Sequence, residues 1–472
     1  MFLKLLLTCL ENKMIAVVLL VTVIVVGLKI YLWNYIRICY YASKLPGPPA
    51  YPIIGNGALL FGSHEEASHN LLDICLQYQK SLIRFWLGPI PVAVILDPED
   101  IQEVLTNSNA LEKSFLYHLI WDTTMGKSIF TSEVLEWKHH RGIIVKGFSP
   151  IILKSYFKIF VEKINIYLSR TTLDSVCGKV TTKLPLSIEN YPPLFYRFTE
   201  DYKIASKCSK IIREFTENII SEKRSKYETI DNNNLIDVKA NKKNEYKKPL
   251  LEYLMDFTKN DEEFTDAQIR DEVNIFAAYE TSANALSYVL LNLAAHKGIQ
   301  TKVYNEILEV LGENHGSSIN FDDLPKLKYM EMVIKESMRR YSTVPFIGRK
   351  AYQDIKIGNY TIPKGITIGI IIMAAHLNEN HWENPLKFDP ERFTPENIKN
   401  RHPYSFIPFS AGSRNCIGIR YAWIVMKITL ATLLSRYEFH TDLNLDELRF
   451  QFNLTLSLVN GHQVRITPRQ KL

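Results

Sequence analysis

Six cysteines are few for 472 residues, and none of them stands in a C-x-x-C pair. Cys9, Cys39, Cys75, Cys177, Cys208 and Cys416 follow no framework spacing. That excludes a disulfide scaffold and a structural zinc site, and it points to a reducing compartment. An excess of one charge is also lacking, since the formal net charge is only +6. This suits an acidic partner or an anionic membrane surface and is too small to argue for nucleic acid. No internal repeat is evident. His64-Glu65 and His69 come close to H-E-x-x-H, but the second histidine falls one residue late, so the imidazoles would not share a helix face. The Lys- and Asn-rich stretch from Arg224 to Lys248 lacks interleaved aromatics and reads as an exposed, mobile loop.

Apolar residues make up 46% of the chain and charged ones 22%, enough for a large core. Length alone suggests two or three domains. A single run, Met14–Trp33, is long and apolar enough to cross a bilayer, with Lys29 snorkelling near its end. No small-residue cleavage site follows it, so it reads as an anchor and not a cleaved signal. Lys29, Arg37 and Lys44 after the run, against Lys4, Lys13 and Glu11 before it, place the remainder in the cytosol. Leu45-Pro46-Gly47-Pro48-Pro49 cannot continue a helix. The expected organisation is an N-terminal segment and anchor (1–33), a stiff proline-rich hinge (34–56) and one large domain (57–472).

Within that domain, His64–Lys80 has helical spacing, and Leu82–Leu96 reads as strands about a Gly88-Pro89 turn. Asp97-Pro98 is a helix start. Residues 150–222 are mostly helical in pattern, with one helix from about Thr199 to Lys223. A long helix is expected from Thr265 to about Ala295 and another over Asp322–Tyr341. Thr343–Arg349 and Ile355–Ala374 read as strands, and Phe450–Ile466 as strands around an Asn460-Gly461 turn. Asn453-Leu454-Thr455 is a formal glycosylation sequon that a cytosolic domain would leave bare.

Four clusters carry chemistry. In Phe409-Ser410-Ala411-Gly412-Ser413-Arg414-Asn415-Cys416-Ile417-Gly418, glycines flanking a lone cysteine let backbone approach something flat and bulky. Arg414 offers a fork suited to a carboxylate. The helix that follows points its positive end at Cys416, favouring a thiolate, a soft metal ligand. Trp137 and Arg141 share a helix face, and their N–H donors could hold anions; a packed tryptophan on an exposed basic helix is the plainer alternative. Glu280-Thr281-Ser282, polar amid apolar residues, offers a hydrogen-bond relay for protons, or simply a back-bonded threonine beside a solvated acid. Glu336 and Arg339 can pair on one face, as many surface pairs do.

Together these residues resemble the cytochrome P450 monooxygenases. F-x-x-G-x-R-x-C-x-G is similar to their haem loop, Trp137/Arg141 to W-x-x-x-R, Ala277-Ala278-Tyr279-Glu280-Thr281-Ser282 to the oxygen-activation motif, and Glu336/Arg339 to E-x-x-R. The tone of the haem loop is most similar to the animal group of fatty-acid omega-hydroxylases and their insect relatives. The resemblance implies a mainly α fold with small β-sheets and haem b ligated by the Cys416 thiolate. It implies Trp137, Arg141, Arg349 and Arg414 on the propionates, with Phe409 and Gly418 beside the cysteine. Glu280 and Thr281 would deliver protons during O–O cleavage, and Arg392 would join Glu336 and Arg339 in bracing the haem loop.

The resemblance further implies insertion of one oxygen atom into an apolar substrate, with electrons from NADPH through a membrane-bound reductase. Cytochrome b5 would be a possible second electron donor. The expected location is the endoplasmic reticulum membrane with the catalytic domain in the cytosol. Ala278 replaces the usual glycine. Ala277 replaces a glutamate that can esterify haem in many omega-hydroxylases, so no such bond is expected. The chain is also shorter than the family around 177–191. A reductase-independent isomerase or a catalytically impaired haem-binding membrane protein are the other readings.

Overall fold

The computed structural model describes residues 2–51, 54–60, 62–78, 82–115, 117, 126–170, 200–233, 250–260, 265–276, 280–312 and 319–469. The expected shortening at 177–191 and the residues Ala277 and Ala278 lie outside them.

Helix α1 (Phe2–Ser43) contains Ile15–Ser43, the one segment among the described residues long and apolar enough to cross a membrane. At 1.5 Å per residue it outruns a hydrocarbon core of ~30 Å. Its last turns dock on the domain. Tyr35 Oη donates to Pro89 O (2.8 Å), Arg37 pairs with Asp354, and Ala42 is fully buried. Residues 34–43, expected in the hinge, are therefore helical. The proline-rich stretch that follows is pinned rather than loose: Arg84 N donates to Pro46 O (2.8 Å), and Arg84 Nη1 to Ser43 O (2.9 Å). A Cβ on Gly47 would stand 2.5 Å from Arg84 O, so glycine is required where the two strands of chain touch.

The next segment holds α2 (His64–Gln77), β1 (Ile83–Leu87), β2 (Ile90–Ile95) and α3 (Pro98–Thr106). Ser63 and Glu66 form a capping box on α2, and Asp97 caps α3. The Gly88-Pro89 turn forms as expected, joining paired Leu87 and Ile90. Strand β2 is central in a four-stranded sheet of order β1-β2-β6-β3, with β3 Ile347–Lys350 and β6 Thr367–Ile370; only the β2–β6 pairing is parallel. Its near-continuous apolar run (Ile90–Ile95) is what a strand covered on both faces requires. Strands β4 (Ile355–Ile357) and β5 (Tyr360–Ile362) pair in a small hairpin.

Helices α4 (Val134–Gly147), α5 (Pro150–Arg170), α6 (Glu200–Asn233), α7 (Leu250–Asn260), α8 (Asp266–Phe276), α9 (Glu280–Ala295), α10 (Lys297–Leu311) and α11 (Lys328–Arg340) make most of the domain. Short helices α12 (Ile372–His376) and α13 (Pro395–Lys399), then α14 (Ile419–Leu434), complete them. Leu293, Val303, Val333, Met338, Ile428 and Leu434 are buried together where α9, α10, α11 and α14 meet. That contact packs α14, which the cysteine loop precedes, against the helix carrying Glu280.

Several expectations are corrected. Helix α6 continues ten residues past Lys223; Lys223 pairs with Glu252 (3.6 Å) and Arg224 with Asp266, so this part of the expected loop is braced helix. The helix expected over Asp322–Tyr341 is split, because Pro325 sits in a 3-10 turn (Phe321–Lys326) before α11. The strand expected to reach Ala374 stops at Ile370: Met373 N donates to Pro345 O (3.1 Å), and the chain turns into α12. The last hairpin is not centred on Asn460-Gly461. Strand β8 (Phe450–Phe452) pairs with β9 (Leu456–Leu458) across Asn453-Leu454-Thr455, whereas β10 (Arg465–Pro468) pairs with β7 (Tyr437–His440).

Candidate active site

Cys416 sits two residues before Gly418, the N-cap of α14. Its loop is closed by backbone: Cys416 N donates to Phe409 O (2.9 Å), and Ser410 (φ 59°) and Gly412 (φ 70°) take left-handed turns. A Cβ on Gly412 would stand 1.9 Å from Leu105 O, so this glycine is demanded by α3 and not by a flat ligand. Gly418 differs. A Cβ there would lie 3.9 Å from Cys416 Sγ, an ordinary contact, so nothing in the chain itself demands glycine at 418. Phe409 packs toward the core with its ring 6.2 Å from that of Trp423.

Cys416 is exposed. Burial raises its thiol pKa; the Gly418 N–H and then the Arg141 charge act the other way. Desolvation thus opposes the expected preference for the thiolate, and a metal cation bound at the sulfur would favour it.

Trp137 is buried and lies beneath two guanidinium groups, Arg414 at 4.4 Å and Arg141 at 5.8 Å from the ring centroid. Arg141 turns to the cysteine loop: Nη1 donates to Asn415 O (2.9 Å) and Nη2 to Asn415 Oδ1 (2.6 Å). Arg414 donates Nη2 to Ser132 O (2.8 Å), while its buried Nε and Nη1 have no partner among the described residues. Arg349, buried in β3, donates Nη1 to Gly348 O (3.0 Å).

A third cation joins these two. Lys113 is buried, and its pKa is pushed well below the usual lysine range by desolvation and then by Arg349 and Arg414. Burial, then Arg349, also bring Arg414 down to about 10, against the pull of Glu112. Among the described residues, three buried basic side chains thus converge with one nearby carboxylate, and that carboxylate accepts Val134 N–H (3.2 Å). Such an excess is costly unless an anion answers it. Two orphaned guanidinium nitrogens, three cations and an open thiol suit a planar metal chelate with acidic arms. The residues present therefore fit haem. No spacing rule marked Lys113; it stands about 240 residues from Arg349 in sequence.

Glu336 and Arg339 form the expected pair, both side chains fully buried, through Arg339 Nε–Oε2 (2.7 Å) and Nη2–Oε1 (2.8 Å). Arg392 approaches Glu336 Oε1 at 3.5 Å, and Asp389 N donates to the same oxygen (2.9 Å). Arg339 also donates to His376 O (2.9 Å) and Pro385 O (2.8 Å). His376 links this knot to the cysteine loop. Its Nε2 accepts Ile407 N–H (2.9 Å), so a neutral ring carries its proton on Nδ1, facing Ser342 Oγ at 2.9 Å. Ile407 lies two residues before Phe409. The sequence reading missed His376.

Burial, and then Arg339, lower the His376 pKa from 6.5 to about 3. The unfolded chain therefore binds a proton that the native one refuses between those values. His376 contributes its full stability above about pH 6.5 and loses about 1.4 kcal/mol per pH unit as pH falls toward 3. Urea unfolding at pH 7 and pH 5 should give a steeper loss for the parent than for His376→Asn; equal slopes would remove His376 as the cause.

Glu280 opens α9, and Thr281, one residue on, is exposed. Glu280 Oε1 accepts from Thr455 Oγ1 (2.9 Å). No cluster of three or more His, Cys, Asp or Glu suited to a metal occurs among the described residues.

An accessible thiol just before a helix, a cluster of buried basic side chains and a mostly helical fold with small sheets fit the class of haem-thiolate proteins. The sequence pattern of the cytochrome P450 family matches residues 45–175 and 171–462, so the chain belongs to the cytochrome P450 family. It is similar to cytochrome P450 4c21 of Blattella germanica (31% identity over 90% of this chain and 94% of the relative). Cytochrome P450 4g1 of Drosophila melanogaster is 30% identical over 91% and 89%, and cytochrome P450 4F8 of Homo sapiens is 30% identical over 86% of each chain. Members of the family are monooxygenases that use haem b with thiolate-ligated iron and reductase-supplied electrons from NADPH.

Proposed function

We propose that this monooxygenase inserts one oxygen atom from O2 into a C–H bond of an apolar small molecule, with NADPH electrons delivered by a membrane-bound reductase. The observation that carries the reading is the convergence of Lys113, Arg349 and Arg414 beside the loop that presents Cys416. Haem bound there supplies the oxygen-activating chemistry, and the thiolate pushes electron density toward O–O cleavage. Lys113, Arg349 and Arg414, with Trp137 beneath Arg414, would hold the propionates. Arg141 would hold the cysteine loop through Asn415. Glu280 and Thr281 would move protons, and Glu336, Arg339 and Arg392 would keep the loop's approach rigid. Thr343–Phe346 and Ser457–Val459 would contact substrate.

The anchor reading places α1 in the endoplasmic reticulum membrane with the domain on the cytosolic face, where lipid supplies apolar substrates. Basic residues such as Lys138 and Arg420 suit an acidic reductase surface, and cytochrome b5 is a further donor of the same charge class. The experiment is to co-express the full chain with an NADPH-dependent reductase in microsomes and add lauric acid as the probe. Product carrying one atom of labelled oxygen from O2, dependent on NADPH, is expected. Product formed equally without the reductase would favour the isomerase reading. Haem binding with no NADPH oxidation on any apolar probe would favour an impaired protein.

A further inference from the structure

We propose that Thr455, at the tip of the β8–β9 hairpin, is a positioning residue for Glu280, so that the hairpin controls where protons are delivered. The proposal rests on the proton-delivery reading of Glu280 given above. Along α9, Glu280, Asn284 and Tyr288 recur at intervals of four and share one face. Each meets the hairpin tip. Thr455 Oγ1 donates to Glu280 Oε1 (2.9 Å), Asn284 Nδ2 to Leu456 O (2.6 Å) and Tyr288 Oη to the same carbonyl (3.4 Å).

The tip is itself fixed. Leu456 N donates to Thr343 O (2.9 Å), and Asn453 Nδ2 to Ser457 Oγ (3.1 Å). Thr455 is 1% exposed and Leu456 is fully buried, so the donor is held by packing and not by solvent. A β-branched side chain in such a place has little rotamer freedom. Its hydroxyl fixes one carboxylate oxygen on the hairpin side of α9, while Thr281 lies ~100° further round the helix. The acid and the alcohol of the pair are thereby held at a set angle to each other by a residue 175 positions away.

The productive reaction consumes one O2, one NADPH and one proton per substrate, giving the alcohol, water and NADP+. When protons reach the wrong oxygen, the same two electrons and two protons leave instead as hydrogen peroxide, and no C–H bond is broken. Thr455→Val removes the hydroxyl and keeps the branched shape; Thr455→Ser keeps the hydroxyl. In microsomes holding the full-chain holoenzyme and reductase, with lauric acid as probe, two readouts apply: the ratio of peroxide to product, and the solvent deuterium isotope effect on NADPH oxidation.

Thr455→Val is expected to raise the peroxide-to-product ratio by about tenfold, the rate equivalent of one charge-assisted hydrogen bond, with a larger isotope effect. Thr455→Ser should restore both. Asn284→Ala removes one tie of the tip but leaves Leu456 N to Thr343 O and the Thr455 hydroxyl in place, and parent values are expected for it. If Thr455→Val loses the thiolate spectrum, Thr455→Ala supplies the same comparison. The proposal is overturned if the hydroxyl-free variants keep parent values while Glu280→Gln shifts both readouts. It is also overturned if Asn284→Ala reproduces the effect, which would assign it to hairpin packing. Parent values for Glu280→Gln would remove the proton-delivery reading of Glu280, and this proposal with it.

Discussion

Arg339→Leu is expected to yield little or no folded haem protein. The substitution strips a fully buried carboxylate, Glu336, of its bidentate partner and leaves His376 O and Pro385 O without their donor. Breaking a buried pair from one side costs about 3–5 kcal/mol, against a total stability of ~5–15 kcal/mol for a domain. Arg392, at 3.5 Å, is too far from Glu336 to replace the lost fork. Arg339 also stacks 4.9 Å from the Trp382 ring, a contact leucine replaces only in part. Arg339→Lys should fail nearly as badly, since an ammonium cannot bond both oxygens in the plane. The check is haem content and urea unfolding of membrane-expressed protein. A variant within about 1 kcal/mol of the parent would contradict the role given to this knot.

Cys416→Ala should do the opposite: leave the fold and remove the chemistry. The loop does not depend on the sulfur, because it is closed by Cys416 N–H to Phe409 O and tied by Arg141 to Asn415. Unfolding should change by less than about 1 kcal/mol. Haem should still find Lys113, Arg349 and Arg414. NADPH-dependent product should fall by more than about 100-fold, since even residues behind a metal ligand are worth 10–100-fold. Retained turnover would show that another residue ligates the iron.

What was legible in the sequence was what lies close together along the chain. The cysteine loop, Trp137/Arg141 and Glu336/Arg339 each fit within ten residues, so spacing exposed them. What was hidden was convergence. Lys113 meets Arg414 across three hundred residues, and Thr455 meets Glu280 across 175. His376 is an ordinary buried histidine until its bonds to Ile407 and Ser342 are seen. The misplaced hairpin has the same origin. Asn460-Gly461 is a strong local turn signal, and Gly461 does take a left-handed turn (φ 73°), yet it joins two different sheets. The true hairpin closes at Asn453-Leu454-Thr455 because its tip is anchored to Thr343, Asn284 and Glu280. The isoleucine-rich run Ile366–Ile372 read as strand throughout, but the sheet ends where Pro345 takes the Met373 N–H.

The most direct test of the central claim, that Cys416 presents a thiolate to haem iron, is the carbon monoxide difference spectrum of the reduced, membrane-expressed protein. A strongly red-shifted Soret band, lost in Cys416→Ala, is the predicted result, because only a thiolate pushes that much electron density onto the iron. A band at the shorter wavelength of neutral ligation, or no haem signal from well-expressed chain, would contradict it.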